Sequence, residues 1–497
     1  MNLVVLPVIV PLFAAGLALM AQRSLFLQRI ISVGATVFSL GVAIALLVEV
    51  EANGIQAHSI GGWPAGVGIT VVADLASAMF LVVSLVVLVL VQIFAIGQGA
   101  DTAEPRFAQP VYLVLAAGVS MSFLTGDLFN LFVAFEVMLI ASYVLLTFGA
   151  GAAQIRTGMT YVVINVLAST LLLSTVGLIY GATGTVDMSQ LVTRFPELSD
   201  STRLSLGLLL LAVFAIKAAL FPFFFWLPDS YPTAPIAVTA VFAGLLTKVG
   251  VYTMIRATSI LSLDDARTVL VLAASVTMVI GVVGAIVQGD MKRILSFHII
   301  SQVGYMIMGL AVGTVAGLTG AVLYVVHHIP VKTALFLVSG LIEQATGTAA
   351  LHRLGGLVRR APLFAALFAI PAMSLAGIPP FSGFLAKLAV ISAGLEAEEW
   401  LMVAASLVAS LLTIFSMSKI WAGVFWGTAD DPTPMMAAAD EEDARFPIDP
   451  VTAAATAVLV LATLIVPIFG GDVYDLAERA AHDLLDPSAY VEAVNNA

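Results

Sequence analysis

Glu136 lies at the centre of Asn130–Ser142, NLFVAFEVMLIAS, an apolar run that otherwise reads as the middle of a membrane helix. An isolated carboxylate costs several kcal/mol in hydrocarbon, so it must be protonated or paired, and an ionisable residue at that depth is a functional candidate. The chain has six lysines, and Lys217, Lys248, Lys332, Lys387 and Lys419 all fall in similar apolar runs. Lysine passes a proton only where its charged and neutral forms are close in energy, a condition that partial burial creates. Histidine, whose ordinary pKa is nearest physiological pH, adds His298, His327 and His328. These residue types together point to reversible proton transfer. Lys217 is the candidate partner of Glu136 in an ion pair that opens and closes. Paired, the glutamate holds the lysine charged; separated, the proton is free to move toward Lys248, the histidines and Lys387.

Spacing supports two further groupings. Tyr324, His328 and Lys332 recur at intervals of four and share one helix face, although Pro330 must distort it. His298, Ser301, Gln302 and Tyr305 recur at three or four and make a polar stripe, either a hydrogen-bonded helix seam or the wall of a water-lined path. Adjacent His327 and His328 point about 100° apart on a helix and lack a third ligand, so no metal site is expected. Asp127 suits the start of its helix, where a carboxylate meets the positive end of the dipole. Lys419, beside Trp421 near a span end, reads as a snorkelling side chain.

The elements that must position these residues follow from composition. With 497 residues, 61% apolar and 10% charged, and a mean hydropathy of +1.08, the chain is an all-α polytopic membrane protein. A ruler of about 20 apolar residues per crossing gives fourteen spans, near 2–21, 28–49, 70–98, 108–125, 127–149, 157–182, 204–226, 235–257, 267–288, 293–313, 315–343, 362–394, 400–427 and 450–470. The first is read as a retained span, because it lacks a basic leader and a small-residue cleavage site. Pro222, Pro330, and Pro379 with Pro380 each withdraw a backbone donor inside spans seven, eleven and twelve. The carbonyls of Ala218, Val326, Leu375 and Ala376 lose their helical partners, which predicts broken helices there. Irregular backbone at membrane depth belongs where it is buried in protein or faces a hydrated cavity, and paired broken helices point to a transport site.

Arg23, Arg29, Arg106, Arg156, Lys292, Arg293, Arg353, Arg359, Arg360 and Arg445 fall on one side of this layout, and Arg194, Arg203, Arg256 and Arg267 on the other. The excess assigns the first set to the cytoplasm and both termini to the outside. The net charge of −11 reflects acids gathered in 430–443 and after Asp472, read as solvated segments. With no cysteine, the chain holds no thiolate-bound cluster, disulfide or cysteine nucleophile, and no cofactor is expected.

The stretches GDLFNLFVAFEVMLIASYVLL, FAIKAALFPFFFWLPDSYPTAP, GLLTKVGVY, KRILSFHIISQVGYMIMG, HHIPVKTALFLVSG and AGIPPFSGFLAK resemble the antiporter-like subunit superfamily shared by Mrp-type cation/proton antiporters and the membrane arm of respiratory complex I. The resemblance covers about residues 70–430 and includes charged positions. Within it the chain is most similar to the D-type subunits of Mrp complexes, from its start and its length. The resemblance implies fourteen helices with two inverted five-helix repeats, four to eight and nine to thirteen. The corresponding division is 1–107, an N-terminal three-helix segment; 108–260 and 261–428, the repeats; and 429–497, an acidic loop, last helix and tail. It also implies that Glu136 is the essential fifth-helix glutamate, Lys217 its partner, Lys248 the bridging lysine, His328 the eleventh-helix relay and Lys387 the terminal lysine. Certain complex I relatives carry glutamate at the position of Lys387, and the largest adds a long lateral helix after the last span; this chain matches neither. The implied partners are a second antiporter-like subunit, small hydrophobic subunits, the lipid bilayer, H⁺ and Na⁺ or K⁺, with no nucleic acid. The alternative within transport is a proton-pumping subunit of a complex I-like oxidoreductase. A membrane scaffold, in which buried charges only lock helices, is the alternative outside it.

Overall fold

The computed structural model describes residues 3–99, 107–148, 151–261, 266–437, 446 and 449–497. Arg106, Arg445 and the acids of 440–443 lie outside those residues. Twelve described helices are long and apolar enough to cross a bilayer, and two shorter apolar helices, Ala108–Leu124 and Pro362–Ala376, fall at the expected fourth and twelfth spans. Apolar composition alone would not set the helix ends. Capping does: Asp74, Asp127, Asp290 and Asp449 each accept a hydrogen bond from a backbone N–H three residues on, satisfying a donor that has no helical partner.

The starts of spans five and ten share one device. Leu128 N donates to Val186 O at 2.9 Å and Met188 N to Gly126 O at 2.8 Å, pairing Asp127 with Asp187. Met291 N donates to Ala349 O and Leu351 N to Gly289 O, both at 2.9 Å, pairing Asp290 with Ala350. Each bridge ties the N-terminus of one helix to the segment that follows another.

Burial is graded. Spans one and two expose much of their surface, including Phe13 and Phe26, whereas the central windows of spans eight and eleven are wholly buried. The centre of the protein is therefore formed by Ile236–Ala257, Met291–Val312 and Val315–Thr346, the helices that carry Lys248, His298, His328 and Lys332.

Three features depart from the sequence expectation. Span eleven is not broken: Val315–Thr346 runs through Pro330 as one helix. A proline removes one internal hydrogen bond, and here the turns on both sides are packed all round, which holds the helix together. The chain is also not purely helical, because β1, Gln56–Ser59, pairs antiparallel with β2, Thr70–Ala73, setting Gln56 opposite Ala73. Beyond the last span, the tail forms helices Gly470–Leu485 and Ser488–Asn495 and packs back on the molecule. Ala477, Ala480, Ala481 and Leu484 make its buried face, and Ser259 Oγ donates to Leu484 O at 3.1 Å.

Candidate functional site

In span five, Glu136 Oε1 is buried and has no hydrogen-bond partner among the described residues. Lys217 occupies the last turn of Asp200–Ala218, and its ammonium turns to span six, donating to Asn165 O at 3.2 Å and Ser169 Oγ at 3.0 Å. It also lies 5.5 Å from the centre of the Phe135 ring. Among the described residues, no ion pair within 4 Å joins Lys217 to Glu136. After Ala218 the chain turns through left-handed Ala219, passes Pro222 and resumes as Trp226–Ser230. Leu220 N bonds Ala215 O at 2.9 Å and Trp226 Nε1 bonds Ile216 O at 3.2 Å, so the second half satisfies carbonyls that the first half leaves over.

Lys248 follows a π-helical turn, Phe242–Leu246. Its ammonium donates to Ala243 O within that turn, an acceptor that a regular helix would have spent on its own backbone. Such turns recur at functional sites because they free backbone groups. Both ring nitrogens of His328 and the ammonium of Lys332 in span eleven, and the hydroxyl of Thr247 next to Lys248, are buried without partners among the described residues. The Lys332 ammonium lies over the face of Phe336, 5.8 Å from its ring centre. Unpartnered buried polar groups are few in native proteins; here they occur at several places in the fold, and His328 and Lys332 bring two basic ones together on the predicted face of span eleven. Water of the kind that fills polar cavities is the partner such groups accept.

The predicted stripe on span ten divides by function. Ser301 Oγ donates to Met278 O of span nine at 2.9 Å, which is a helix seam. Gln302 Oε1 accepts from Tyr324 at 2.6 Å while its Nε2 stays free. His298 Nε2 meets Ser416 Oγ of span thirteen at 2.9 Å, and its Nδ1 has no partner among the described residues. Tyr305 donates to Ser406 O at 2.6 Å, and the face of its ring lies 5.2 Å from Lys387 Nζ.

Lys387 belongs to the second half of span twelve, Ser382–Glu396, and donates 3.0 Å to Ala376 O at the end of the first half, Pro362–Ala376. Pro379 and Pro380 lie in the intervening turn, and Ala376 is one of the residues whose carbonyl they were expected to free. An ammonium at a helix C-terminus also meets the negative end of the helix dipole.

Sequence reasoning missed the role of His327. Its Nδ1 is 2.8 Å from Ser382 Oγ, which is 2.8 Å from Ser374 Oγ, so this imidazole is tied to the break in span twelve. The two serines lie 47 and 55 residues further along the chain, and nothing local to His327 marks them. Lys419 is also different from its expected role. Rather than reaching for headgroups, it donates to Ile286 O at 2.8 Å and Gln288 O at 2.6 Å, closing the C-terminus of span nine.

A sequence profile of the family described as NADH:quinone oxidoreductase/Mrp antiporter, TM matches residues 125–413, a range that includes Glu136, Lys217, Lys248, Lys332 and Lys387. The D-type subunit of the Na(+)/H(+) antiporter of Alkalihalophilus pseudofirmus is 42% identical over 497 residues, covering 99% of each chain. A chain in the structure of the Mrp complex from Dietzia sp. superposes with a TM-score of 0.91 at 37% identity, covering 99% of this chain and 98% of that one. A chain of respiratory complex I from Thermus thermophilus shares the fold, with a TM-score of 0.82 at 23% identity over 97% of this chain and 100% of that one.

Proposed function

The chain belongs to the NADH:quinone oxidoreductase/Mrp antiporter transmembrane family, and on that premise we propose that it is the D-type, proton-carrying subunit of a multisubunit Na⁺(K⁺)/H⁺ antiporter. It is a multi-pass membrane protein and a transporter component rather than an enzyme. The cell membrane is its proposed location, with both termini outside. Fourteen spans and two inverted repeats, 108–260 and 261–428, are the proposed architecture; the matching bridges at Asp127 and Asp290 support the pairing of the repeats.

The observation that carries the reading is the set of buried, under-partnered basic side chains centred on Lys248, His328 and Lys332, with Lys217 and Lys387 at helix breaks on either side. In this reading Glu136 and Lys217 form the switch. Approach of the carboxylate favours the ammonium by direct Coulomb attraction, strong where water is scarce. In the separated arrangement Lys217 keeps only neutral acceptors, and its proton is released toward Lys248, then His328, and on to Lys387. His298, Tyr324, Lys332, Ser301 and Gln302 support this route by hydrogen bonding and by charge. The cation's own route is proposed to involve partner subunits, a second antiporter-like chain and small hydrophobic ones, as in the Mrp complex.

The test is antiport by the complete complex in everted vesicles from a host stripped of its own antiporters. Addition of Na⁺ or K⁺ should dissipate a respiration-generated pH gradient only when this chain is present. A complex that leaves the gradient untouched by either cation, yet moves protons on addition of an electron donor, would replace this reading with a redox-driven one.

A further inference from the structure

Between spans eleven, twelve and fourteen and the start of the tail helix lies a cavity of about 250 Å³. One water needs about 10–15 Å³ of such space, so it is large enough for several. Its inner end is Ser382, the residue bonded to His327, and its other end is formed by Glu396 and Tyr474, both exposed. Ser382, Ala386, Ala389, Ala393 and Glu396 recur along one face of the helix at intervals of three or four. Small side chains at the middle positions leave the volume open, and Ser392 adds a hydroxyl to its wall.

The inner end is built closely. A Cβ on Gly383 would stand 1.7 Å from Ser374 O and 3.0 Å from His327 Cε1, so only glycine lets the two halves of span twelve and the imidazole meet. That approach sets Ser382 Oγ between His327 Nδ1 and Ser374 Oγ, at 2.8 Å from each. The opposite ring nitrogen, Nε2, is buried and has no partner among the described residues.

We propose that His327, Ser382 and this cavity form a branch of the proton path, leading from the buried His/Lys cluster to the face of the protein that carries the tail helices. It rests on the reading that protons move through this chain. A proton arriving at Nε2 makes the ring an imidazolium. The Nδ1–H bond then breaks as that proton passes to Ser382 Oγ, while the serine gives its own hydroxyl proton to a water in the cavity, so charge and atoms balance at each residue. The ring is left neutral with its proton on Nε2, and tautomer exchange resets it. Glu396, at the mouth, is the acceptor that faces solvent.

This chain has no cysteine, so Ser392→Cys is its single labelling site, and the complex without the substitution, given the same reagent, is the control for the partner subunits. With the full complex in intact cells, a charged, membrane-impermeant thiol reagent added outside should modify this variant, and modification should lower antiport about tenfold or more. His327→Gln and Ser382→Ala should lower antiport by about tenfold or more with the complex still copurifying, and Ser382→Thr, which keeps the hydroxyl, should restore it. Reaction of Ser392→Cys only with lipid-soluble reagents would mean that acyl chains fill the space, and the branch would be wrong. Labelling only from the cytoplasmic side would also overturn it, as would wild-type antiport by His327→Gln. If Glu136→Gln is inactive while His327→Gln is active, the branch alone falls; if Glu136→Gln transports normally, the parent reading falls with it. Should His327→Gln fail to assemble, sided labelling of Ser392→Cys, which leaves the relay intact, still decides.

Discussion

Lys332 separates structure from function at the level of one side chain. Its ammonium is fully buried, has no hydrogen-bond partner among the described residues and lies 5.8 Å from the centre of the Phe336 ring. A lysine kept to hold helices together would have an acceptor, because an unpaired buried charge costs several kcal/mol. Lys332→Met should therefore assemble as well as the native chain, with a thermal midpoint unchanged or raised, yet lose antiport by about tenfold or more. A fall in stability together with normal transport would assign Lys332 to the scaffold. These lysines and Glu136 were legible in the sequence because a charge in an apolar window has few explanations. The role of His327 was not. Its neighbour His328 sits on the predicted face with Tyr324 and Lys332, and the partner that gives His327 a role, Ser382, comes from a distant span. The acceptors of Lys217, Asn165 and Ser169, were also beyond the sequence, which named only Glu136 as its candidate partner.

At the scale of elements, the breaks in spans seven and twelve follow from their prolines, and the continuity of span eleven through Pro330 follows from packing that proline spacing does not encode. The π-turn before Lys248 had no local signal. Gly244 within it permits close contact with span eleven, since a Cβ there would fall 2.1 Å from Thr333 Oγ1. The tail helix could have been read from Ala477, Ala480, Ala481 and Leu484, whose spacing is that of an amphipathic face. The acids around it suggested a solvated segment instead. Arg256 anchors this region: it is ion-paired with Asp74 and stacks on Tyr490, 5.3 Å from its ring centre. Nearby, burial and then Asp74 hold the Asp483 carboxyl above the ordinary carboxylate range, opposed by Arg479, Arg256 and His482. Because the docked acid binds its proton more tightly than the undocked one, docking weakens as pH rises from the ordinary carboxylate pKa through the raised one. Asp483→Asn should therefore tighten the tail at neutral and alkaline pH and change nothing at low pH. Amide-exchange protection of 470–495, measured across that range, checks this; equal protection in both proteins at neutral pH would contradict it.

For the whole molecule, the gradient of burial is the informative quantity. Spans one and two expose wide apolar surfaces to lipid or to partner subunits, while spans eight, ten and eleven carry the basic residues through the most enclosed part of the fold. Hydropathy predicted where the chain crosses, and the arginine and lysine bias predicted its orientation; neither could say which helices would be central. The proposed orientation puts the packed tail outside. A peptide tag after Ala497 should therefore be cut by protease added to intact cells and protected in sealed everted vesicles, and the reverse pattern would place the tail in the cytoplasm. The central claim is that Glu136 works by charge rather than by shape, and Glu136→Gln in the complete complex tests it most directly, because the change removes the charge and keeps the size. Antiport should disappear while this chain and its partner subunits still copurify in native amounts; Na⁺- or K⁺-driven proton movement at the native rate would contradict the account.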